Sequence, residues 1–274
     1  LFGFTSNQRS FKYLKKRRLI LKKLKIALLH LLPIAGDINR NQKLIEKGVK
    51  LAADKHVDWI ITPELAVSGL QFSQKIGTKW INHQPDEWMT NFFSLVKSIN
   101  TNVFLGCPER SKDGELYNSV FVINRNGKLI GKQRKITNII DDWSTSGDFI
   151  EPIDMENVKI GILICADAYT KNIADTLFSK GAEILVAPSA WGPGVCGPKG
   201  EWEQRSIDTG LCLFVCNRTG EDETVTFWEA ESQIIKNGKR LLSHKSKQSA
   251  ILTFDWDLDK MDLISPDFEV EYIS

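Results

Sequence analysis

Cysteine is scarce in this chain of 274 residues, and its five copies follow no disulfide pattern. The number is odd, and the spacing lacks the density of a small secreted scaffold. We therefore predict mostly free thiols, a reducing compartment and a cytoplasmic location.

Histidine is scarcer still, with four copies, and none has the setting of a Cys–His catalytic pair. Cys212 and Cys216 fall on one face of a predicted strand, but no further ligand accompanies them. This pattern argues against a metal site. We predict neither a metal nor a cofactor.

A long apolar run is also missing. The segment RRLILKKLKIALLHLL is interrupted by lysines, and no run approaches the roughly 20 residues of a membrane-spanning helix. The same interruptions argue against a secretory signal, whose apolar region is continuous. We therefore predict a soluble protein without a membrane span.

Acidic residues are absent before Asp37, whereas Lys and Arg crowd the start of the chain. This contrast predicts a basic N-terminal extension over residues 1–24. A second interpretation is a basic amphipathic helix that lies on an anionic membrane or contacts nucleic acid. Aromatic residues do not interleave with the basic ones as at a nucleic-acid surface, so we predict no nucleic-acid partner.

From Lys25 onward, buried-strand patterns alternate with helical ones. The predicted strands are KIALLHL, VDWIITPEL, NVFLGCPE, VKIGILICAD, AEILVAPSA and LCLFVCN, and the predicted helices are NRNQKLIEKGVKLAADKH, PDEWMTNFFSLVKSIN, TKNIADTLFSKG and EWEQRSIDTG. The pairs Asn126-Gly127 and Asn237-Gly238 predict hairpins with type I′ turns. This order predicts an α/β fold with mixed sheets, in one domain over residues 25–274.

Three strands end in residues that can do chemistry. Glu64, Lys135 and Cys165 each follow an apolar run. Taken singly, they are compatible with a carboxylate at a helix start, a solvated charge and a buried structural thiol. Open sheets commonly place their chemistry at the carboxyl ends of strands. The three residues can converge only if their strands share one such edge.

The flanks of these residues resemble the nitrilase, or carbon–nitrogen hydrolase, superfamily from about Lys25 to the end of the chain. The matching segments, in chain order, are Pro63-Glu64-Leu65 with Ser68-Gly69, Asn118-Ser119, Arg134-Lys135, Gly161 with Ile164-Cys165 and Asp167, Pro188-Ser189-Ala190-Trp191, Arg205 with Asp208, and Asn217-Arg218-Thr219-Gly220. The resemblance implies a four-layer α-β-β-α sandwich and a Glu–Lys–Cys catalytic set at Glu64, Lys135 and Cys165.

The implied chemistry is coherent, because a thiol with a pKa of ~8.5 needs a base or a nearby positive charge. Glu64 takes the thiol proton and passes it to a leaving amine. Lys135 and the backbone N–H of Ala166 stabilise the oxyanion, and water then hydrolyses a thioester on Cys165. The side chains expected to contact the substrate are Asp167, Trp191 and Trp143.

Several positions depart from the family pattern. Gln133 and Thr137 replace the usual Tyr and His around the Lys. Many members place a further Glu between the Lys and the Cys, and four positions here leave the choice open: Asp141, Asp142, Asp148 and Glu151. Ala166-Asp167 fits the amidase and carbamoylase branches better than the nitrile hydrolysers, which tend to have Trp and then Glu after the Cys.

The sequence therefore predicts a hydrolase that cleaves an amide or carbamoyl carbon–nitrogen bond of a small molecule. The alternatives are nitrile hydrolysis at the same site and a non-catalytic member that acts as a binding or assembly protein. The resemblance also implies a homodimer or a larger homo-oligomer. Candidate contact segments are residues 170–181 and 254–274, the latter predicted to lack a strand pattern and to expose Trp256, Phe268 and Tyr272.

Overall fold

Fourteen strands form two mixed β-sheets in the computed structural model, which describes residues 23–138, 142–194 and 196–274. The eight strands of the first sheet are β1 (Lys23–His30), β2 (Trp59–Ile61), β3 (Asn102–Arg110), β4 (Leu116–Ile123), β5 (Leu129–Arg134), β12 (Ala250–Asp257), β13 (Asp262–Leu263) and β14 (Glu269–Tyr272). The six strands of the second sheet are β6 (Ile153–Met155), β7 (Val158–Ile162), β8 (Ile184–Ser189), β9 (Cys212–Asn217), β10 (Ser232–Lys236) and β11 (Lys239–His244).

The strand order explains why both sheets are mixed. The first sheet runs β13-β12-β1-β2-β3-β4-β5, with β14 also paired to β12, and the second runs β11-β10-β9-β8-β7-β6. The central pairs β1–β2, β2–β3, β7–β8 and β8–β9 are parallel, and the hairpins at the edges are antiparallel. Because β2 and β5 run in the same direction within the first sheet, their carboxyl ends lie at the same edge of that sheet.

The described residues include five α-helices: α1 (Ile38–Asp54), α2 (Phe72–Ile76), α3 (Glu87–Ile99), α4 (Lys171–Ser179) and α5 (Glu201–Thr209). The first and third begin at N-caps that the sequence supplies, since Asp37 accepts from the Arg40 N–H and Asp86 accepts from the Met89 N–H. The helix α3 ends at Asn100, which adopts a left-handed conformation with φ of 53°.

The apolar side chains define four layers. Ile45 and Val49 of α1 and Phe92 of α3 pack on one face of the first sheet. On the opposite face of that sheet, Phe254 contacts Phe214 of the second sheet, with ring centroids 5.2 Å apart. The second sheet is covered by α4 and α5. The predicted α-β-β-α sandwich is therefore confirmed.

Several local features differ from the sequence predictions. The first strand begins at Lys23 rather than Lys25, because Leu24 pairs with Trp256 and is buried. Residues 1–22, and with them most of the predicted basic extension, lie outside the described residues. The turn at Asn126-Gly127 has a positive φ only at Gly127, so it is not a type I′ turn. Asn124 fixes it instead, by accepting from two backbone N–H groups with its side chain.

The prediction for the C-terminal segment was also wrong. Residues 250–257 form β12, and two short strands, β13 and β14, pair with it. Trp256 is fully buried against Phe214, with ring centroids 5.0 Å apart, whereas Tyr272 is exposed. The tryptophan is buried because it alternates with Asp255 and Asp257, which place their carboxylates on the other face of the strand.

Two predictions about composition hold in the described part of the chain. No helix there is long and apolar enough to cross a membrane. All five cysteines, each of which lies in a described range, are free thiols.

Candidate active site

Glu64 lies just beyond β2, in a tight turn that is packed against β3. Its side chain is 1% exposed, and the next residue, Leu65, has a φ of 49°, which is unusual for a residue other than glycine. The turn can approach β3 closely because Gly106 has no side chain: a Cβ at that position would lie 2.2 Å from the Pro63 carbonyl oxygen. The fold therefore holds this carboxylate in a fixed, buried position.

Both oxygens of the Glu64 carboxylate accept hydrogen bonds. Oε1 accepts from Lys135 Nζ at 2.8 Å and from Asn118 Nδ2 at 2.8 Å. Oε2 accepts from the backbone N–H of Ala190 at 3.0 Å. Lys135 follows β5, Asn118 lies on β4 and Ala190 follows β8, so both sheets contribute to this contact network.

Cys165 begins a short 3₁₀ helix (Cys165–Tyr169) that follows β7. Its φ is 49°, a strained left-handed conformation that is favourable only where the surroundings impose it. Both Glu64 and the Ala190 N–H lie close enough to the thiol to influence its pKa.

Burial has the largest effect on the pKa of the Cys165 thiol and raises it, the negative charge of Glu64 raises it further, and the positive charge of Lys135 lowers it. The net direction is upward, so the folded protein favours the neutral thiol. A carboxylate in this position can remove the proton as the sulfur attacks, which is the requirement for general-base catalysis.

Lys135 is 4% exposed and is the ammonium group of this cluster. Its backbone N–H donates to the Asn118 carbonyl at 2.8 Å, which continues the pairing of β4 and β5 past the strand end. Its side chain bonds to Glu64, and its charge acts on both Cys165 and Asp167. The three residues singled out in the sequence, Glu64, Lys135 and Cys165, thus lie together.

Asp167 is fully buried, and its carboxylate contacts three backbone N–H groups. Oδ1 accepts from Ile136 at 3.0 Å and from Thr137 at 2.7 Å, and Oδ2 accepts from Ile164 at 3.0 Å. Burial raises its pKa to about 6, against the opposing effect of these hydrogen bonds. This placement differs from the predicted substrate contact, because both oxygens are already engaged with the backbone.

The two tryptophans predicted to bind substrate, Trp191 and Trp143, pack in two different apolar clusters. Trp191 is 6% exposed and packs between Tyr169 and Trp202, with ring centroids 4.8 and 5.0 Å away. Trp143 is half-buried and packs against Phe72, with ring centroids 4.8 Å apart. Phe72 belongs to a small apolar cluster that also includes Leu65 and Ala190, the neighbours of the Glu64 network.

The carboxylates considered as a second acidic residue lie elsewhere. Asp142 and Asp148 are exposed. Glu151 is paired with Lys180 at the surface. Asp141 lies outside the described residues. Within the described part of the chain, no group of three or more His, Cys, Asp or Glu residues is arranged to hold a metal ion.

Sequence reasoning missed the roles of Asn118 and Ala190. In the sequence, Asn118 is recognised only as part of the Asn118-Ser119 motif. A polar residue at the start of a buried apolar strand is nevertheless a signal of a buried hydrogen bond. The Ala190 contact uses a backbone N–H and leaves no trace in the residue type. Arg205 is a further support, since it donates to the Ala168 carbonyl at 3.0 Å and pairs with Asp208 at 2.7 Å.

Comparisons with known proteins identify the family of the chain. The carbon-nitrogen hydrolase family model matches residues 25–264. The glutamine-dependent NAD(+) synthetase of Thermotoga maritima is 22% identical over 260 residues, which cover 90% of this chain and 45% of that protein. The nitrilase of Pyrococcus abyssi is 29% identical over 169 residues, which cover 60% of this chain and 64% of that protein. The chain therefore spans less than two thirds of each of these relatives.

A solved structure shows the same fold. The crystal structure of an amidase from Nesterenkonia sp. superposes with a TM-score of 0.76 at 16% sequence identity. The match covers 87% of this chain and 92% of that chain. Two mixed sheets flanked by helices are thus shared across a large difference in sequence.

Proposed function

The chain belongs to the carbon–nitrogen hydrolase family, and we propose that it hydrolyses an amide or carbamoyl bond of a small molecule through a thioester on Cys165. The observation that carries this proposal is the buried thiol of Cys165, on which the charges of Glu64 and Lys135 act while these two residues bind each other at 2.8 Å. A structural cysteine needs neither a carboxylate nor an ammonium beside it.

In the first half-reaction, Glu64 takes the proton of Cys165 as the sulfur attacks the carbonyl carbon. Negative charge then develops on the carbonyl oxygen, where Lys135 and the Ala166 N–H stabilise it. The carbon–nitrogen bond breaks as Glu64 gives its proton to the leaving nitrogen. Ammonia or an amine departs, and the acyl group remains on the sulfur.

In the second half-reaction, Glu64 removes a proton from water, which attacks the thioester. The carbon–sulfur bond breaks, the acid leaves, and the proton returns to Cys165 through Glu64. The net change is amide plus water to acid plus ammonia, with no oxidation or reduction. Positioning and charge stabilisation supply the acceleration, and the site holds both in place before substrate arrives.

The preference for amides rests on the sequence after the nucleophile and on the relatives. Ala166 and Asp167 follow Cys165, where nitrile hydrolysers of the family tend to carry Trp and then Glu. The Nesterenkonia protein is described as an amidase. Nitrile hydrolysis is the second candidate, favoured by the likeness to the Pyrococcus nitrilase. In that reaction the same thiol adds to the nitrile carbon.

A substrate panel tests the proposal. Purified protein is incubated with primary amides, carbamoyl compounds and nitriles, and ammonia release is measured for each. We expect amides or carbamoyl compounds to be turned over and an acyl mass to accumulate on Cys165, as seen by intact-protein mass spectrometry. Cys165→Ala is the negative control. Ammonia release that persists at the wild-type rate in this variant would refute the proposed mechanism.

Thiol labelling separates an enzyme from a binding protein on the same scaffold. The positive charge of Lys135, which lowers the pKa of the thiol, is expected to make Cys165 react with iodoacetamide faster than the other buried cysteines, Cys107, Cys212 and Cys216. The exposed Cys196 serves as the reference for an ordinary accessible thiol. A protein that labels at Cys196 alone and turns over no member of the panel would favour the binding-protein alternative.

We also propose that the protein forms a homodimer or a larger homo-oligomer. Phe178 of α4 is 50% exposed and Ile207 of α5 is 58% exposed, so the layer over the second sheet presents apolar side chains to solvent. Light scattering at micromolar concentration is expected to give at least twice the monomer mass. Replacement of both residues by Glu is expected to reduce that mass, and a monomeric wild type would refute the proposal.

A further inference from the structure

Asp167 connects the two segments that carry Lys135 and Cys165. Its Oδ1 accepts from the N–H groups of Ile136 and Thr137, the two residues directly after Lys135. Its Oδ2 accepts from the N–H of Ile164, the residue directly before Cys165. Lys135 follows a strand of the first sheet and Cys165 follows a strand of the second. One carboxylate therefore spans the gap between the sheets at the reacting groups.

The same aspartate closes a ring of hydrogen bonds around Cys165. The Asp167 N–H donates to the Ile164 carbonyl at 3.0 Å, while the Ile164 N–H donates to Asp167 Oδ2 at 3.0 Å. Cys165 lies inside this ring with its strained φ of 49°. A residue persists in such a conformation only when its surroundings over-determine it. Asp167 supplies that constraint from both its backbone and its side chain.

We propose that Asp167 is a positioning residue, which fixes the distance between the Lys135 ammonium and the Cys165 sulfur by binding the backbone on both sides. This role rests on the proposed function, because the distance matters only if the two groups act on one substrate. It replaces the substrate contact predicted for Asp167 from the sequence. The residue is fully buried, and its carboxylate binds the backbone N–H groups next to the reacting residues.

A carboxylate suits this position better than an amide does. Three N–H donors converge on its two oxygens, and no acceptor faces it among the contacts of its side chain. An asparagine would turn an NH₂ group toward at least one of these donors. Asp167→Asn therefore keeps nearly the same side-chain shape but places an NH₂ group against one of the backbone N–H donors. Asp167→Ser keeps one acceptor oxygen and introduces no NH₂ group.

The test compares these variants with a matched control. Asp58 also binds a backbone N–H with its carboxylate, accepting from Lys25 at 3.0 Å, but it lies before β2, at the opposite end of the strand from Glu64. Asp58→Asn thus reports the loss of a similar bond far from the site. For each protein, kcat and KM are measured with the best substrate of the panel, together with the melting temperature and the rate of Cys165 alkylation between pH 6 and 10.

We expect Asp167→Asn to lower kcat by about 10²-fold, the effect of a displacement of reacting groups by about an ångström, with KM almost unchanged. The alkylation profile of Cys165 should move to higher pH, because Lys135 no longer sits close to the sulfur. Asp167→Ser should have a higher kcat than Asp167→Ala and an alkylation profile closer to that of the wild type. If Asp167→Asn does not fold, Asp167→Ser replaces it in the test. Asp58→Asn should lower only the melting temperature.

Two outcomes would overturn the proposal. A raised KM with an unchanged kcat in Asp167→Asn would indicate a contact with substrate instead. An unchanged kcat and an unchanged alkylation profile would indicate a purely structural residue. If the wild-type protein turns over no substrate, the proposed function fails, but the alkylation profile still decides whether Asp167 sets the relation between Lys135 and Cys165. The two failures are therefore distinguishable.

Discussion

The two buried carboxylates near Cys165, Glu64 and Asp167, are almost equally inaccessible, at 1% and 0% exposure, but they have different partners. Glu64 is bound by the side chains of Lys135 and Asn118 and by one backbone N–H. Asp167 is bound by backbone N–H groups alone. A neighbouring ammonium group suits a carboxylate that is proposed to exchange a proton with a thiol. Backbone donors, whose positions are fixed by the chain, suit a carboxylate that sets geometry.

The comparison also shows how each buried charge is compensated. Glu64 has a positive side chain 2.8 Å away, which offsets the cost of removing it from water. Asp167 relies on three dipoles and on the more distant Lys135, and its pKa still rises to about 6 because burial outweighs them. Lys135 thus acts on both carboxylates, and its ammonium binds Glu64 directly at 2.8 Å. The predictions below separate the two by experiment.

The largest expected effect comes from removing the proposed base or nucleophile. Cys165→Ala and Glu64→Gln should each lower kcat by on the order of 10³-fold or more, because covalent attack or its proton transfer is lost. The double variant should be little worse than either single one, since the two groups act as a unit. Ammonia release under saturating substrate provides the measurement.

Glu64→Gln and Asp167→Asn make the same chemical change, from carboxylate to amide, at two neighbouring sites. The comparison predicts that the loss at Glu64 exceeds the loss at Asp167 by roughly tenfold, because only the former removes the group that carries the proton. Equal losses in kcat, with equal changes in the alkylation profile of Cys165, would contradict the distinction between a base and a positioning residue.

The next largest effect is expected from the ammonium group. Lys135→Met keeps the apolar stem but removes the charge at the developing oxyanion, which corresponds to about 3–4 kcal/mol in comparable sites and hence about 10²- to 10³-fold in kcat. It should also raise the pKa of the Cys165 thiol further, since the lysine is the influence that lowers it. Steady-state kinetics and the pH profile of iodoacetamide labelling measure both.

Lys132→Met is the matched control for this variant. Lys132 lies three residues earlier, on β5, and pairs with Glu109 at 2.8 Å, and Glu109 keeps Arg134 as a second partner. Its loss should leave kcat and the labelling profile close to wild type. A Lys135→Met protein that behaved like this control would show that the charge plays no part in turnover.

Much of this site follows from the sequence, for a physical reason. Glu64, Lys135 and Cys165 each end an apolar run, and the carboxyl ends of strands are where open sheets commonly place their chemistry. The direction in which Asp167 points does not follow, because it is set by a short 3₁₀ turn and by partners about thirty residues earlier in the chain, at Ile136 and Thr137. Backbone partners have no residue-type signature.

The fold shows the same limit. The central strands and the long helices were predicted because their periodicity is sustained over several residues. Trp256 was misplaced because the segment after residue 253 mixes apolar and acidic residues, and a strand two to four residues long, such as β13 or β14, has too little periodicity to detect. Its burial depends on pairing with β1, which lies more than two hundred residues earlier in the chain.

A further prediction concerns the pH dependence of stability that Asp167 introduces. Its pKa is raised from 3.8 to about 6 by folding. The group therefore contributes stability that is fully present below about pH 4 and is lost as the pH rises through 6. The expected size is up to about 3 kcal/mol, since one pKa unit corresponds to about 1.4 kcal/mol. Urea denaturation at pH 4, 5, 6 and 7 measures it.

The comparison with Asp167→Asn isolates this contribution. Across that pH range the stability difference, wild type minus variant, should shrink as the pH rises. His30, whose pKa is lowered to about 3 chiefly by burial, has the opposite dependence, and its contribution is lost as the pH falls below about 6.5. It is present in both proteins and cancels. A difference that stays constant with pH would mean that Asp167 is ionised in the folded and unfolded states alike.

The smallest expected effect belongs to Asn118, which shares Glu64 Oε1 with Lys135. Asn118→Ala removes one donor to a charged group, a loss of about 1.5–3 kcal/mol for a buried bond. Lys135 and Ala190 still hold the carboxylate, so we expect the lower end of that range, about tenfold in kcat, with KM unchanged. Ser119→Ala is the control, because residue 119 lies on the opposite face of β4.

An Asn118→Ala protein whose kcat stays at the level of Ser119→Ala would contradict this expectation, because Lys135 and Ala190 would then suffice to hold the Glu64 carboxylate in place.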